Sequence, residues 1–322
     1  MTTIIISDTH FGVKQGSIRW LNAQLDFIYN ELIPKIKELK QKDTVQLVHC
    51  GDVFDSRSSI NTYIANKVRE MFIALGSLCD VHIIAGNHDF YSPDSDEISA
   101  LNLVLDTVDN IHIVRDKIES IDINGKNALL VPWYEFDKKE VLAESIKQNS
   151  PAYIFCHTDL SQLDSEHKAM LKGIEVYSGH IHTPSRNKNL HSLGSTYALT
   201  FTDANSKRGY YILDAEHFEF MPAKRIIKFW RFYNDEIFNI DFEKIKDDYI
   251  EIYIDKYNLL KKEYSSFISD VNLIAHNLAT IPVEPYNDVN ESFELKSYDL
   301  ESLCRKNVPP ELLDKFNQLI NK

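Results

Sequence analysis

The sequence predicts an α/β fold: a layered β-sheet structure flanked by helices, then a small β-α-β cap, then short C-terminal helices. Three observations carry this reading. Short apolar runs alternate with stretches of helical periodicity from Met1 to about Met221. Each of five such runs ends directly in a polar motif rich in Asp, His, Asn and Gly. The chemistry of the chain then changes near Pro222, and again at a proline-bearing acidic stretch from Pro282 to Ser292.

Taken in order, Ile4-Ile5-Ile6 precedes Asp8-Thr9-His10. Ile18 to Lys40 then places Leu21, Leu25, Ile28, Leu32 and Ile36 on one stripe of a helix. Val45 to Val48 leads into Gly51-Asp52, and Asn61 to Leu75 repeats the helical pattern through Ile64, Val68, Met71, Phe72 and Leu75. Val81 to Ile84 ends at Gly86-Asn87-His88-Asp89. From Glu97 to Val108 a helix is expected with two apolar faces, Ile98, Leu101, Leu105 and Val108 on one, Leu103 and Val104 on the other. Tyr153 to Cys156 ends at His157, and Val176-Tyr177 at Gly179-His180-Ile181-His182. Runs of this length and β-branched content suit buried strands. Short strands follow around Leu190 to Phe201 and Gly209 to Leu213.

The expected division is a body over 1–222, a cap over 223–285, and a linker with C-terminal helices over 286–322. The cap is read from a strand at Tyr249 to Ile254, a helix at Leu259 to Leu273, and an extended run at Ala275 to Val283. In the tail, Pro309 and Pro310 start a helix whose apolar face is Leu312, Leu313, Phe316, Leu319 and Ile320.

Bulk properties narrow the class. No run of residues approaches the roughly 20 apolar positions of a membrane span, and the start Met1-Thr2-Thr3 runs into the first strand, so no signal peptide is expected. Four cysteines lie far apart, two inside apolar strands, which fits reduced thiols in a cytosol and not a disulfide framework. The net charge of −13 argues against a free-standing nucleic-acid binder, although two divalent cations would offset about four charges locally.

The strand-end motifs read as a two-metal centre. Asp8 and His10 are two apart on an extended chain, so both leave one face and can share an ion. Asp52 follows a glycine that permits a tight turn, and its two oxygens can bridge two ions. Asn87, His157 and His180 complete the second ion, and His182 returns to the first. Mixed nitrogen and oxygen donors suit Mn²⁺, Fe²⁺ or Zn²⁺ better than Mg²⁺, which prefers oxygen alone. His88 follows a ligand and is expected to face the cleft as general acid or phosphate donor. Asp89 either orients His88 or caps a turn, and Asp55 and Arg57 overhang the site, Arg57 toward phosphate or in a surface ion pair. His49, His82, His112, His167, His191, His217 and His276 have no ligand-spaced partner and are expected to be structural or exposed.

At these residues the chain resembles the calcineurin-like metallophosphoesterases, whose pattern is D-x-H, G-D-x-x-D, G-N-H-D/E, a lone His and G-H-x-H. More narrowly, Gly51-Asp52-Val53-Phe54-Asp55, Val131-Pro132-Trp133 and Leu193-Gly194-Ser195 resemble SbcD-type recombination nuclease subunits, the phage-encoded versions above all. The resemblance implies a metallophosphoesterase β-sandwich and a Mn²⁺-dependent DNA exonuclease or endonuclease acting in recombination, repair or replication. It also implies a homodimer and a coiled-coil ATPase partner of the SbcC kind, on which the tail helices dock. The chain departs from some relatives in carrying Asp55 where they have a catalytic histidine, so only His88 carries over as acid. Two other functions compete: a phosphatase or cyclic-nucleotide phosphodiesterase on the same scaffold, which needs neither cap nor tail, and an assembly subunit without catalysis, against which the intact ligand set argues.

Overall fold

Strands buried on both faces need apolar residues at every position, and the runs read above have that character. In the structure, a computed structural model that describes residues 1–92, 95–215, 217–224 and 226–283, they form two six-stranded sheets. The first sheet runs in the order Phe218–Pro222, Gly209–Leu213, Thr2–Ile6, Val45–His49, Asp80–Ile84, Ile111–Val114. Its last four strands are parallel, and the two at the other edge are antiparallel. The second runs Ser185–Asn187, Leu190–Ser192, Glu175–Gly179, Tyr153–His157, Lys126–Val131, Glu119–Ile123, parallel in the middle with an antiparallel strand at each edge.

Alternation along each strand sorts the core into layers. Ile5, Val48 and Ile84 of the first sheet meet Leu130, Phe155 and Tyr177 of the second. Ile4, Leu47 and Ile83 point the other way, onto helix residues Leu21, Phe27, Val68 and Phe72. Leu129, Ile154 and Val176 face Phe136, Leu142 and Leu160 on the far side. The result is helix, sheet, sheet, helix, with the metallophosphoesterase architecture. Parallel strands put their C-terminal ends on one rim, and that is where the polar motifs emerge.

Two expected helices differ in detail. Ile18 to Lys40 is not continuous: α-helix Ile18–Phe27 passes through a π-helical turn, Ile28–Leu32, into Ile33–Lys40. Pro34 sits at the start of that last segment and has no N–H to give the preceding turn. Between Glu97 and Val108 only Ala100–Leu105 is helical. Ser99 caps it by accepting from the Leu101 N–H, and Ile98 belongs to the strand Ser95–Ser99 of a hairpin with Phe90–Ser92. Leu101, Leu105 and Val108 enter the core, while Leu103 is 79% exposed.

Beyond Pro222 a third sheet of three parallel strands, Phe229–Tyr233, Tyr249–Asp255 and Asn277–Val283, packs Ile250, Ile252 and Ile254 against Tyr264 and Val271 of the helix Lys262–Ile274. It joins the body through Trp20, whose ring stacks 5.8 Å from Phe229 and whose indole N–H donates to the Tyr249 hydroxyl at 3.3 Å. Arg225, Cys304 and the expected linker and helices over 286–322 lie outside the described residues. Cys50, Cys79 and Cys156 are buried free thiols. No helix among the described residues is long and apolar enough to cross a membrane.

Candidate active site

The polar motifs at the strand ends converge on one rim, from both sheets. From the first sheet come Asp8, His10, Asp52, Asn87 and His88; from the second come His157, His180 and His182. His10 Nε2 lies 3.2 Å from His182 Nε2, 3.9 Å from Asp8 Oδ1 and 3.6 Å from Asp52 Oδ2. His182 Nε2 is 3.8 Å from Asp8 Oδ1. On the other side of Asp52, Oδ1 is 3.3 Å from His157 Nε2. His157 Nε2 and His180 Nδ1 each lie 3.0 Å from Asn87 Oδ1. Asp52 therefore turns one oxygen toward each half of the cluster.

Backbone conformation makes this convergence. Asp8, His10, Asp52 and His180 all have left-handed φ, between 44° and 77°. Such residues are uncommon outside glycine and cluster at functional sites, where surrounding structure holds them. Close approach does the rest. A Cβ on Gly51, itself at φ 88°, would meet His157 Nδ1 at 2.3 Å, and one on Gly86 would meet Asp52 Oδ1 at 2.3 Å. Both turns need glycine for the carboxylate and imidazole to lie flat against them.

Supporting bonds fix the orientation of the donors. The His157 Nδ1–H donates to the Cys50 carbonyl at 2.8 Å, which turns Nε2 toward Asn87 and Asp52. The Ser7 hydroxyl donates to Asp8 Oδ2, and the His180 N–H to the same carboxylate at 3.1 Å from Oδ1. Ser7 escaped the sequence reading, although a hydroxyl beside a ligand at a strand end is a usable cue. Trp133 enters that reading only as part of a motif, without a role; its ring forms a wall 4.9 Å from His180.

Asp89 does not hold His88. Its carboxylate is fully buried and accepts four backbone N–H bonds: Asp52 and Gly86 at 2.9 Å each on Oδ2, Val53 at 3.0 Å and Phe54 at 3.2 Å on Oδ1. Burial, and then the charge on Asp52, push this carboxyl up to about 7. The four donors oppose that, because a proton on either oxygen would face two N–H groups; the geometry is that of the ionised form. His88 is held instead by Asp55, whose carbonyl accepts from Nδ1 at 2.6 Å, and by Asp52 Oδ1, which accepts the His88 N–H at 2.8 Å. Asp55 also brings its carboxylate within 3.4 Å of His10 Nδ1. Arg57 makes no ion pair among the described residues. His49 donates to or accepts from Thr9 Oγ1 at 2.9 Å, and His191 lies 2.7 Å from Glu175, so both have local partners.

The donor set fits divalent cations. Three sets of ligand atoms lie within 4.8 Å of one another: Asp8, His10 and His182; Asp8, Asp52 and His157; and His10, Asp52 and His88. The electrostatics agree with that fit. Burial works against the Asp52 charge, yet His157, then His10 and His88, hold its carboxyl below the usual range. Burial likewise opposes the His157 charge, yet Asp52 and then Asp8 push its pKa up to about 9. The pocket thus draws positive charge into a buried place.

The calcineurin-like phosphoesterase family pattern matches residues 1–184. Over 338 aligned positions the chain is 24% identical to exonuclease subunit 1 of Enterobacteria phage T4, covering 99% of this chain and 96% of that protein. Among solved structures, an archaeal phosphodiesterase aligns with TM-score 0.34 and 14% identity over 69% of this chain and 99% of that one. A protein of unknown function from Aquifex aeolicus aligns with TM-score 0.27 and 19% identity over 54% and 87% of the two chains.

Proposed function

Because the chain belongs to the calcineurin-like phosphoesterase family, we propose that it is the nuclease subunit of an SbcCD-like nuclease–ATPase complex, cleaving DNA phosphodiester bonds with two divalent metals. One observation carries the reading. Seven donor side chains from two sheets converge beside a histidine, His88, that is anchored by its own Nδ1, in a chain alignable over 99% of its length with an exonuclease subunit.

In this reading Asp8, His10 and His182 would hold one ion and Asn87, His157 and His180 the other, with Asp52 available to both. Bound Mn²⁺ or Mg²⁺ supplies Lewis acidity toward the phosphate and lowers the pKa of bound water; the nitrogen-rich donor set favours Mn²⁺. The protein contributes placement and a proton. His88 donates Nδ1–H to the Asp55 carbonyl, so Nε2 is the atom left to protonate or hydrogen-bond the departing oxygen. Its main-chain bond to Asp52 ties that imidazole to the carboxylate at the centre of the cluster. Asp89 keeps both in register by clamping the Asp52 and Gly86 amides.

The same reading assigns the chain a homodimer, an SbcC-like coiled-coil ATPase partner bound through the residues beyond 285, and the cytoplasm of the cell in which it acts. Ile98 and Leu103, exposed beside the hairpin and helix, are the apolar residues offered to a second copy. The deciding experiment is nuclease assay on linear duplex DNA with Mn²⁺ or Mg²⁺, with and without the ATPase, beside a phosphomonoester and a cyclic nucleotide. Cleavage of the monoester or the cyclic nucleotide but never DNA would favour the small-molecule enzyme and refute the nuclease.

A further inference from the structure

Next to the metal cluster lies a cavity of about 440 Å³ that the proposed chemistry does not use. It is formed by the chain immediately after two ligands. Phe11, which follows His10, donates its N–H to Val53 at 2.8 Å and accepts from the Asp55 N–H at 3.1 Å. The cavity floor is thus built on the same pair of strand ends as the cluster. Asp55 is the shared wall: its side chain faces His10, its carbonyl holds His88, and it lines the cavity.

The lining chemistry selects among ligands. Phe11, Ile60 and Ile64 give apolar surface, and Gln15, Asn61, Ser56 and Ser59 give amides and hydroxyls. No lysine or arginine lines it, and its one ionisable group is the acid Asp55. A phosphate is therefore unwelcome here, and a flat, uncharged, hydrogen-bonding heterocycle fits. Asn61 Oδ1 is engaged by the Tyr63 and Ile64 N–H groups, so its amide N–H₂ is the part left for a ligand. The opposite lip is a turn in which Gly12, Lys14, Gln15 and Gly16 all take left-handed φ, from 57° to 102°.

We propose that this cavity is a nucleoside subsite. It takes the base and sugar attached to the phosphate that the Asp8–His182 cluster engages, with that base splayed out of its stack. The inference rests on the phosphodiesterase reading above and adds to it where the nucleoside goes.

The test compares two chromogenic diesters under Mn²⁺: thymidine p-nitrophenyl phosphate, as both the 5′ and 3′ isomers, and bis(p-nitrophenyl) phosphate, which has no nucleoside. The readout is the ratio of kcat/KM between nucleoside and plain ester. The wild-type ratio is expected to exceed tenfold for at least one isomer. Ile60→Trp, which fills the cavity, and Asn61→Asp, which keeps the helix cap but removes the N–H₂ donors, should each lower that ratio by tenfold or more. Loss of folding would depress both esters together and leave the ratio as measured in the second variant to decide. A wild-type ratio near one, or a ratio unmoved in both variants, overturns the subsite while leaving the phosphodiesterase intact. Hydrolysis of neither ester by the wild type overturns the phosphodiesterase reading and the subsite with it.

Discussion

Asp89→Asn changes one atom and probes how the site is held. In the wild type each carboxylate oxygen accepts two backbone N–H bonds at 2.9–3.2 Å, in a fully buried place. Whichever way the asparagine amide turns, its N–H₂ faces two of those donors. At least two bonds to a charged acceptor are lost, each worth roughly 1.5–3 kcal/mol, so the variant should lose about 3–6 kcal/mol. For a unit of this size, 1 kcal/mol corresponds to about 2–4 °C, which gives a fall in Tm of roughly 6–24 °C. Because either orphaned pair, Asp52 with Gly86 or Val53 with Phe54, belongs to the turns that carry the Asp52 carboxylate, kcat on a small phosphodiester should also fall at least tenfold. Thermal unfolding by circular dichroism, with hydrolysis assayed at a temperature where the variant is folded, measures both. A melting point within about 2 °C of wild type, with unchanged kcat, would refute the clamp.

Other outcomes follow from the same geometry. His10→Ala or Asp52→Ala should abolish hydrolysis and lower the metal content found by elemental analysis, without loss of the circular dichroism of the folded chain. His88→Asn should keep both ions and lose roughly 10²–10⁴-fold in kcat; since His88 also comes within ligand range of His10 and Asp52, a matching loss of metal would make it a ligand instead. The isolated chain, with net charge −13, should bind duplex weakly and with shallow salt dependence, since each neutralised phosphate adds about 0.9 to the slope; removing the residues after Asn290 should abolish co-purification with the ATPase, and tight, steeply salt-dependent binding by the chain alone would contradict this. Trp20→Ala should destabilise by about 3–5 kcal/mol, because the ring is almost fully buried between body and cap; chemical denaturation measures it.

Much of the body was legible because strands buried on both faces leave an unambiguous mark, and because a parallel sheet delivers its strand ends to one rim. Asp8, His10, Asp52, Asn87, His157, His180 and His182 could be placed at strand ends for that reason. Their conformations could not. A left-handed His10 or Asp52 contradicts local propensity and exists only because tertiary contacts hold it, which no local pattern encodes. For Asp89 the sequence leaves open whether it holds His88 or caps a turn; the carboxylate does cap its own turn, through the Gly86 N–H, and also reaches amides 35–37 residues earlier, which no local pattern shows. Ile98 stands three residues before Leu101, a helical spacing, and only the Ser99 cap reveals where the helix starts. The order of the three cap strands depends on crossovers that their own sequences do not specify.

The pairing of His10 with His182 across 172 residues has a consequence for biogenesis. During synthesis the amino-terminal donors Asp8, His10, Asp52 and Asn87 leave the ribosome long before the histidines that complete them. Until the second sheet docks, those groups are an open, incomplete set with weak hold on any cation. On the proposed reading, metal loading would therefore be a late event, coupled to the closing of one sheet on the other. Chelation should accordingly loosen sheet-to-sheet docking first and leave each sheet's own strand pairing until last.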